Sequence, residues 1–172
     1  MNLFADLLAT TQAPSATATG PRIQKRRGVE IKSAREIKIM REASRIVATV
    51  LREVMSMVEP GQTTGELDAF AEKRIREMGA TPSFKGYHGF PASICASINT
   101  EVVHGIPNAK RVIHKGDLLK VDTGAYFEGY HGDSCSAVCV GESSAEAQTI
   151  SRVAQESLMA GLSQVKAGNT LL

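Results

Sequence analysis

Two β-prone stretches joined by a tight-turn sequence constrain the fold of this chain more than any other feature. Residues 118–126 and 130–140 are rich in β-branched and small side chains, and Gly129 favours a two-residue Glu128-Gly129 turn between them. These features predict an antiparallel hairpin. Two shorter strands are predicted at 93–99 and 102–104.

Three amphipathic helices are predicted around these strands, because apolar side chains recur there every three or four residues. Each helix is predicted to begin with a capping box, a Ser or Thr followed three positions later by Glu: Ser33 with Glu36, Thr63 with Glu66, and Ser143 with Glu146. The predicted ends are at Pro60-Gly61, Gly79 and Gly168. The order helix, helix, strands, helix predicts an α+β fold with an antiparallel sheet, not alternating β–α–β units.

The composition argues against several classes of protein. The chain has 172 residues, 42% of them hydrophobic, which suits one globular domain. No run of about 18 apolar residues occurs, so no membrane span is expected. A net charge of +2 is too balanced for nucleic-acid binding over the whole surface. The three cysteines are too few for a disulfide scaffold and are expected to be buried thiols in a reducing compartment: Cys95, Cys135 and Cys139.

Residues 1–28 are predicted to be a disordered arm. The stretch 10–20 consists almost entirely of Thr, Ala, Ser, Pro and Gly, which cannot bury enough surface to offset its ordering entropy. Basic residues follow between Arg22 and Arg27. Two alternatives stay open, a tether to an anionic partner such as ribosomal RNA and an organelle transit peptide. The absence of basic residues before Arg22 argues against the transit peptide. Residues 29–172 are expected to form the folded domain.

Each arm of the predicted hairpin carries an aspartate. Asp122 lies in an apolar strand and Asp133 lies on the returning strand. An unpaired carboxylate in a buried strand is costly, and two neighbouring carboxylates repel each other. A divalent cation between them would remove both problems. Carboxylate ligands without thiolates suit Mn, Fe, Co or Zn.

The length of the turn decides whether these two carboxylates can meet. A two-residue loop places Asp122 opposite or diagonal to Asp133 on one face of the sheet. A three-residue loop places them on opposite faces unless a bulge intervenes. The alternative without a metal is that Asp122 caps a strand end and Asp133 begins a turn, and spacing alone leaves both interpretations open.

Further candidate side chains surround this pair. His104, beside Gly105, could be a ligand, a hydrogen-bonding group near a reacting carbonyl, or a structural histidine. His131 shares a strand face with the second aspartate two residues later, so it either supports that carboxylate or is structural. Three residues could wall an apolar pocket or simply pack beneath a loop: Tyr87, Phe90 and Cys95.

The chain from about residue 29 to residue 172 resembles the N-terminal part of a type I methionine aminopeptidase. The matching motifs are Pro82-Ser83-Phe84-Lys85-Gly86-Tyr87, Phe90-Pro91, Val103-His104-Gly105-Ile106-Pro107, Val121-Asp122 and His131-Gly132-Asp133. The spacing of the two aspartates also occurs in prolidases and creatinase relatives. The His-Gly-Ile-Pro and His-Gly-Asp segments favour the methionine enzyme.

The resemblance implies a pita-bread (creatinase/aminopeptidase) fold, an antiparallel sheet backed by helices in two pseudo-symmetric halves. It implies removal of the initiator methionine from the N-termini of nascent polypeptides in the cytoplasm, by a protein that is monomeric when complete. Asp122 and Asp133 would bind metal, with two divalent ions (Co, Mn, Fe or Zn) per complete site. His104 would be catalytic and contact the substrate, and His131 would lie behind the ligands. The methionine pocket would contain Tyr87, Phe90 and Cys95.

The family's metal site also needs a His and two Glu that this chain lacks. We therefore expect an incomplete fold, weak metal binding and no activity from this polypeptide alone, as for a truncated or split gene product. The competing hypotheses are a catalytically dead pita-bread binding module and a prolidase-like peptidase, which would need a different substrate pocket. The basic arm leaves room for a ribosome contact.

Overall fold

Helix α1 (Ala34–Met57) begins at the predicted capping box. The backbone N–H of Ser33 donates to the Glu36 carboxylate at 2.7 Å, and the Glu36 N–H donates to Ser33 Oγ at 3.3 Å. Helix α2 (Thr64–Glu77) begins with the equivalent Thr63–Glu66 box. Both predicted capping boxes are therefore confirmed. The computed structural model describes residues 30–170, so the predicted arm at 1–28 lies outside the described residues.

Helix α3 (Ala145–Ser163) differs from the prediction at both ends. Its N-cap is Ser144, not Ser143, because the Ser144 hydroxyl accepts the N–H of Ala147 at 3.2 Å. It ends at Ser163, before the predicted end at Gly168, because the Gln164 N–H bonds to the carbonyl of Gly161 and tightens the last turn.

Four strands form one antiparallel sheet: β1 (Thr81–Pro82), β2 (Ile94–Ile98), β3 (Leu118–Phe127) and β4 (Tyr130–Cys139). Strand β3 lies in the middle, with β1 and β2 along one edge and β4 along the other. A short 3-10 helix (Tyr87–Gly89) lies between β1 and β2. The predicted hairpin and α+β class are confirmed.

The predicted strand at 102–104 is wrong. Gly105 bonds to the edge of β2 with its carbonyl, which accepts the N–H of Ala96 at 2.8 Å. Its own N–H instead donates to the side chain of Ser97 at 3.0 Å, so a backbone ladder does not continue. His104 has a φ of 58°, which also breaks an extended conformation.

The core lies between the sheet and helices α1 and α2. Buried side chains from all three layers meet there, including Ile46, Val50, Leu67, Ile75, Leu119 and Val121. Helix α1 approaches β4 so closely that a Cβ on Gly132 would lie 2.5 Å from the carbonyl oxygen of Ala43. The opposite side of the sheet, which carries Asp122, is called the open face below.

The three cysteines are free thiols, but they are not all buried. Cys95 is buried as expected, Cys139 is partly buried, and Cys135 is exposed. The expectation is wrong for Cys135, which lies on the open face of the edge strand β4 and reaches solvent. Among residues 30–170, no helix has the length and apolarity needed to cross a membrane.

Candidate metal and substrate site

The turn between β3 and β4 has two residues, Glu128 and Gly129, because Phe127 pairs directly with Tyr130. Both turn residues have positive φ, 45° for Glu128 and 92° for Gly129. This is the backbone of a type I′ turn, which matches the right-handed twist of a hairpin. The turn therefore fixes the register of the whole ladder.

That register places the two aspartates on the same face of the sheet. Asp122 pairs with Cys135, and Asp133 pairs with Gly124. Because cross-strand partners share a face and residues two apart along a strand also do, Asp122 and Asp133 are diagonal neighbours on the open face. The diagonal arrangement expected from a two-residue turn is confirmed. We call Asp122 and Asp133 the acidic pair.

The acidic pair has unusual electrostatics. Partial burial raises the pKa of Asp122 to about 6, and the negative charge of Asp133 and a hydrogen bond between the two carboxyl groups act in the same direction. The positive charge of His104 and a hydrogen bond from the Thr123 backbone oppose this shift. A cation bound between the two carboxyl groups would remove their mutual repulsion.

Two thiols flank Asp122 along one row of the sheet. Cys95 on β2 and Cys135 on β4 both pair with Asp122 across the ladder. Burial, followed by the charges of Asp122, Cys135 and Asp133, raises the pKa of Cys95 to about 11. The pKa of Cys135 is also raised, by partial desolvation and then by the acidic pair, although its side chain reaches solvent. Both groups are therefore neutral thiols at physiological pH.

His104 lies in the loop that follows β2 and is exposed. The charge of His104 lowers the pKa of Asp122, so the two groups interact electrostatically.

His131 lies on the open face, two residues before Asp133 on β4. Its Nδ1 is hydrogen-bonded to Ser83 Oγ at 2.9 Å, and its ring contacts Tyr126 with centroids 4.9 Å apart. The structure thus places His131 on the face that holds the acidic pair, and His104 in a loop that is bonded through Gly105 to the edge of β2.

The three residues predicted to wall a pocket have different surroundings. Cys95 is buried on the open face beside Asp122. Phe90 is half-buried, whereas Tyr87 is 69% exposed and its ring meets the edge of His88. A pocket formed by the three together stays a prediction.

Sequence reasoning missed two features that border the site. A Cβ on Gly124 would lie 2.9 Å from both the Phe84 ring and the Ser83 side chain, so these residues cover the open face beside Asp133. Asp68 on α2 accepts the N–H groups of Ser93 and Ile94 at 2.7 and 3.0 Å and fixes the start of β2. The segment Pro82–Tyr87 could have indicated the first feature, but no local pattern indicates Asp68.

The donor set fits part of a divalent-metal site. Carboxylate oxygens are ligands for Mn, Fe, Co and Zn, and a cation would offset the repulsion within the acidic pair. Within the described part of the chain, however, no three His, Cys, Asp or Glu side chains converge closely enough to hold a metal ion. The described residues thus bring together two carboxyl groups, fewer than the three side chains of a closed metal site.

An antiparallel sheet with helices on one face and an acidic pair on the other is the arrangement of a class of metallopeptidase. The model of metallopeptidase family M24 matches residues 38–172, and the chain belongs to this family.

Within that class, the chain is similar to methionine aminopeptidases. That of Clostridium acetobutylicum is 48% identical over 141 residues, which cover 82% of this chain and 56% of the relative. Methionine aminopeptidase 1 of Bacillus subtilis is 49% identical over 140 residues, 81% of this chain and 56% of the relative. The chain thus spans about half the length of the curated relatives it matches.

Solved structures agree on the architecture. The methionine aminopeptidase of Thermotoga maritima superposes with a TM-score of 0.78 at 35% identity, covering 80% of this chain and 55% of that one. An Xaa-Pro dipeptidase from Bacillus anthracis superposes with a TM-score of 0.70 at 31% identity, covering 81% of this chain and 38% of that one. The fold is the pita-bread fold, incomplete relative to these proteins, as the resemblance implied.

Proposed function

We propose that this chain carries part of the catalytic centre of a metal-dependent aminopeptidase that removes the N-terminal methionine from nascent proteins. The observation that carries the proposal is the acidic pair, two carboxyl groups at diagonal positions on the open face of the sheet, one of which has a raised pKa. The similarity to methionine aminopeptidases supports the choice of substrate.

In this proposal Asp122 and Asp133 hold divalent ions, and Co, Mn, Fe and Zn all suit their oxygen ligands. A complete site holds two such ions. A bound divalent ion supplies positive charge that polarises the scissile carbonyl of the substrate. His131, held by Ser83, keeps the strand beside Asp133 in place.

The substrate contacts come from the loops that border the open face. His104 contacts the substrate near the scissile amide, where an imidazole can donate a hydrogen bond. Cys95, Phe90 and Tyr87 contact the methionine side chain, for which apolar and polarisable walls are suited. The partner is the N-terminus of a nascent polypeptide in the cytoplasm, and the basic segment near Arg27 provides a contact to the ribosome.

We further propose that this polypeptide alone binds metal weakly and does not turn over substrate. Two carboxylates do not close a site for two divalent ions, and the described residues bring no third ligand to them. A peptide beginning Met-Ala-Ser, assayed with Mn or Co, should show no release of methionine. Robust turnover by this polypeptide would contradict the inactivity.

Calorimetric titration with Mn²⁺ tests the metal site itself. The unmodified chain should bind Mn²⁺ measurably tighter than Asp122→Asn or Asp133→Asn. Glu128→Gln is the matched control, because it removes the same charge from the exposed hairpin turn. It should leave the affinity unchanged.

A second candidate function is a catalytically inactive pita-bread binding module, which the lack of a third ligand among residues 30–170 favours. The titration separates the two. Equal Mn²⁺ affinity in the unmodified chain, Asp122→Asn and Glu128→Gln would favour the binding module over the enzyme.

A further inference from the structure

Ser97 joins strand β2 to the loop that carries His104. It is 2% exposed and lies on the open face, opposite Lys120 of β3. Its hydroxyl oxygen accepts the backbone N–H of Gly105 at 3.0 Å. This buried side-chain bond takes the place of the ladder bond that a regular strand would make there.

Gly105 is fixed in this position from two directions. Its carbonyl accepts the N–H of Ala96 at 2.8 Å, so backbone and side-chain bonds both tie it to β2. A Cβ on Gly105 would lie 2.4 Å from the carbonyl oxygen of Ala96. Only glycine allows so close an approach to the strand.

His104 immediately precedes this anchor and has a backbone conformation that residues with a Cβ seldom adopt, with a φ of 58°. The side chain is exposed, so packing does not hold it there. The constraint on its backbone comes from the bonds of Gly105. Gly105 is bonded to Ala96 and Ser97, which directly follow Cys95, the β2 partner of Asp122, so the anchored loop holds His104 at the edge of β2 near the acidic pair.

We propose that Ser97 is a positioning residue: its buried hydroxyl holds the Gly105 N–H and thereby sets the His104 imidazole beside the acidic pair. The inference rests on the proposed function, in which His104 contacts a substrate held at the metal site. Ser97 itself touches neither substrate nor metal. Loss of its hydroxyl leaves the Gly105 N–H without its acceptor and frees the loop to move.

Amide hydrogen exchange tests the anchor without metal or substrate. In Ser97→Ala the Gly105 amide should exchange on the order of tenfold faster, the equivalent of one lost hydrogen bond. Ser97→Thr keeps the hydroxyl and should restore slow exchange. The control is Ser93→Ala, because Ser93 is equally buried but its hydroxyl has no hydrogen-bond partner within residues 30–170. Unchanged Gly105 exchange in Ser97→Ala would overturn the proposal. If that variant does not fold, Ser97→Cys, with a weaker acceptor of similar size, replaces it.

Paramagnetic broadening by Mn²⁺ then tests the position of His104. Weak, rapidly exchanging Mn²⁺ should broaden the ring signals of His131 and His104 in the unmodified chain. In Ser97→Ala the broadening of His104 should fall while that of His131 stays, and Ser93→Ala should match the unmodified chain. Equal broadening of His104 in Ser97→Ala would refute the positioning role. If Mn²⁺ broadens neither histidine in the unmodified chain, the proposed metal site is wrong, and Gly105 exchange alone decides whether Ser97 anchors the loop.

Discussion

Asp122 and Asp133 lie diagonally across the β3–β4 ladder, on the same face of the sheet. Partial burial and the negative charge of Asp133 raise the pKa of Asp122. Since a divalent ion would displace a proton held by Asp122, metal binding and proton release are coupled at this site.

Mn²⁺ affinity should therefore fall as the solution becomes more acidic. Because the pKa of Asp122 is raised to about 6, the group is protonated below that pH and the ion must compete with the proton. We expect the dissociation constant to rise by about tenfold per pH unit below pH 6, and to level off above it. Titrations between pH 5 and pH 7.5 measure this. An affinity independent of pH over that range would contradict the raised pKa of Asp122.

Gly132→Ala should destabilise the fold by roughly 1–3 kcal/mol, the usual cost of overpacking. Its new Cβ would lie 2.5 Å from the carbonyl oxygen of Ala43, a backbone atom of α1 that cannot rotate away. Helix and hairpin would have to separate. Urea denaturation followed by circular dichroism gives the free energy of unfolding.

Gly161→Ala is the matched control for this substitution. Gly161 lies in α3, and a Cβ added there would meet no atom within 4 Å. Alanine at this position should stabilise the protein by up to about 1 kcal/mol through helix propensity. A destabilisation equal to that of Gly132→Ala would show that the close approach is not the cause.

Acid should weaken the tie between α1 and the hairpin. Hydrogen bonds from the Ser33 side chain and backbone, and then from Tyr130, lower the pKa of Glu36 from 4.5 to about 2. A lowered folded-state pKa contributes stability that is complete above pH 4.5 and lost as the pH falls towards 2. Tyr130→Phe removes the hydroxyl that donates to Glu36 at 2.7 Å. Its destabilisation should be largest at pH 7 and shrink towards pH 2.5 in urea denaturation. Tyr126→Phe should show no such pH dependence.

Asp68→Ala should destabilise the start of β2. It removes the acceptor of the Ser93 and Ile94 N–H groups and leaves two buried donors unsatisfied, at a cost of about 2–3 kcal/mol. Asp68→Asn retains an acceptor oxygen and should cost less. Amide exchange at Ile94 provides a local measurement, and equal exchange in both variants would contradict a role for the acceptor.

The elements that could be predicted are those set by local chemistry. The first two capping boxes depend on residues three apart, and the hairpin register depends on a turn that Gly129 favours. The shared face of Asp122 and Asp133 follows from that register, because side chains alternate along a strand. The same alternation places Cys135 on this face, although it does not show which face the helices cover.

The features that could not be predicted depend on contacts between segments distant in the sequence. Val102 and Val103 favour extended structure and so predict a strand at His104, but the bond from Gly105 to the Ser97 hydroxyl overrides that preference. The N-terminus of α3 lies one residue beyond its predicted position because adjacent serines offer equivalent caps. No sequence pattern links Asp68 to the start of β2, since their pairing exists only after α2 packs beside the strand.

Strands β1 and β2 are both held by the same edge of β3, with Pro82 opposite Ala125 and Ile94 opposite Thr123. The intervening segment 83–93 therefore leaves and rejoins the sheet at almost the same place. Its two ends are anchored independently of its own sequence. The side chains of residues 85–92 can therefore vary while both ends of the segment stay bonded to β3, whereas Ser83 and Phe84, which contact the strands directly, cannot.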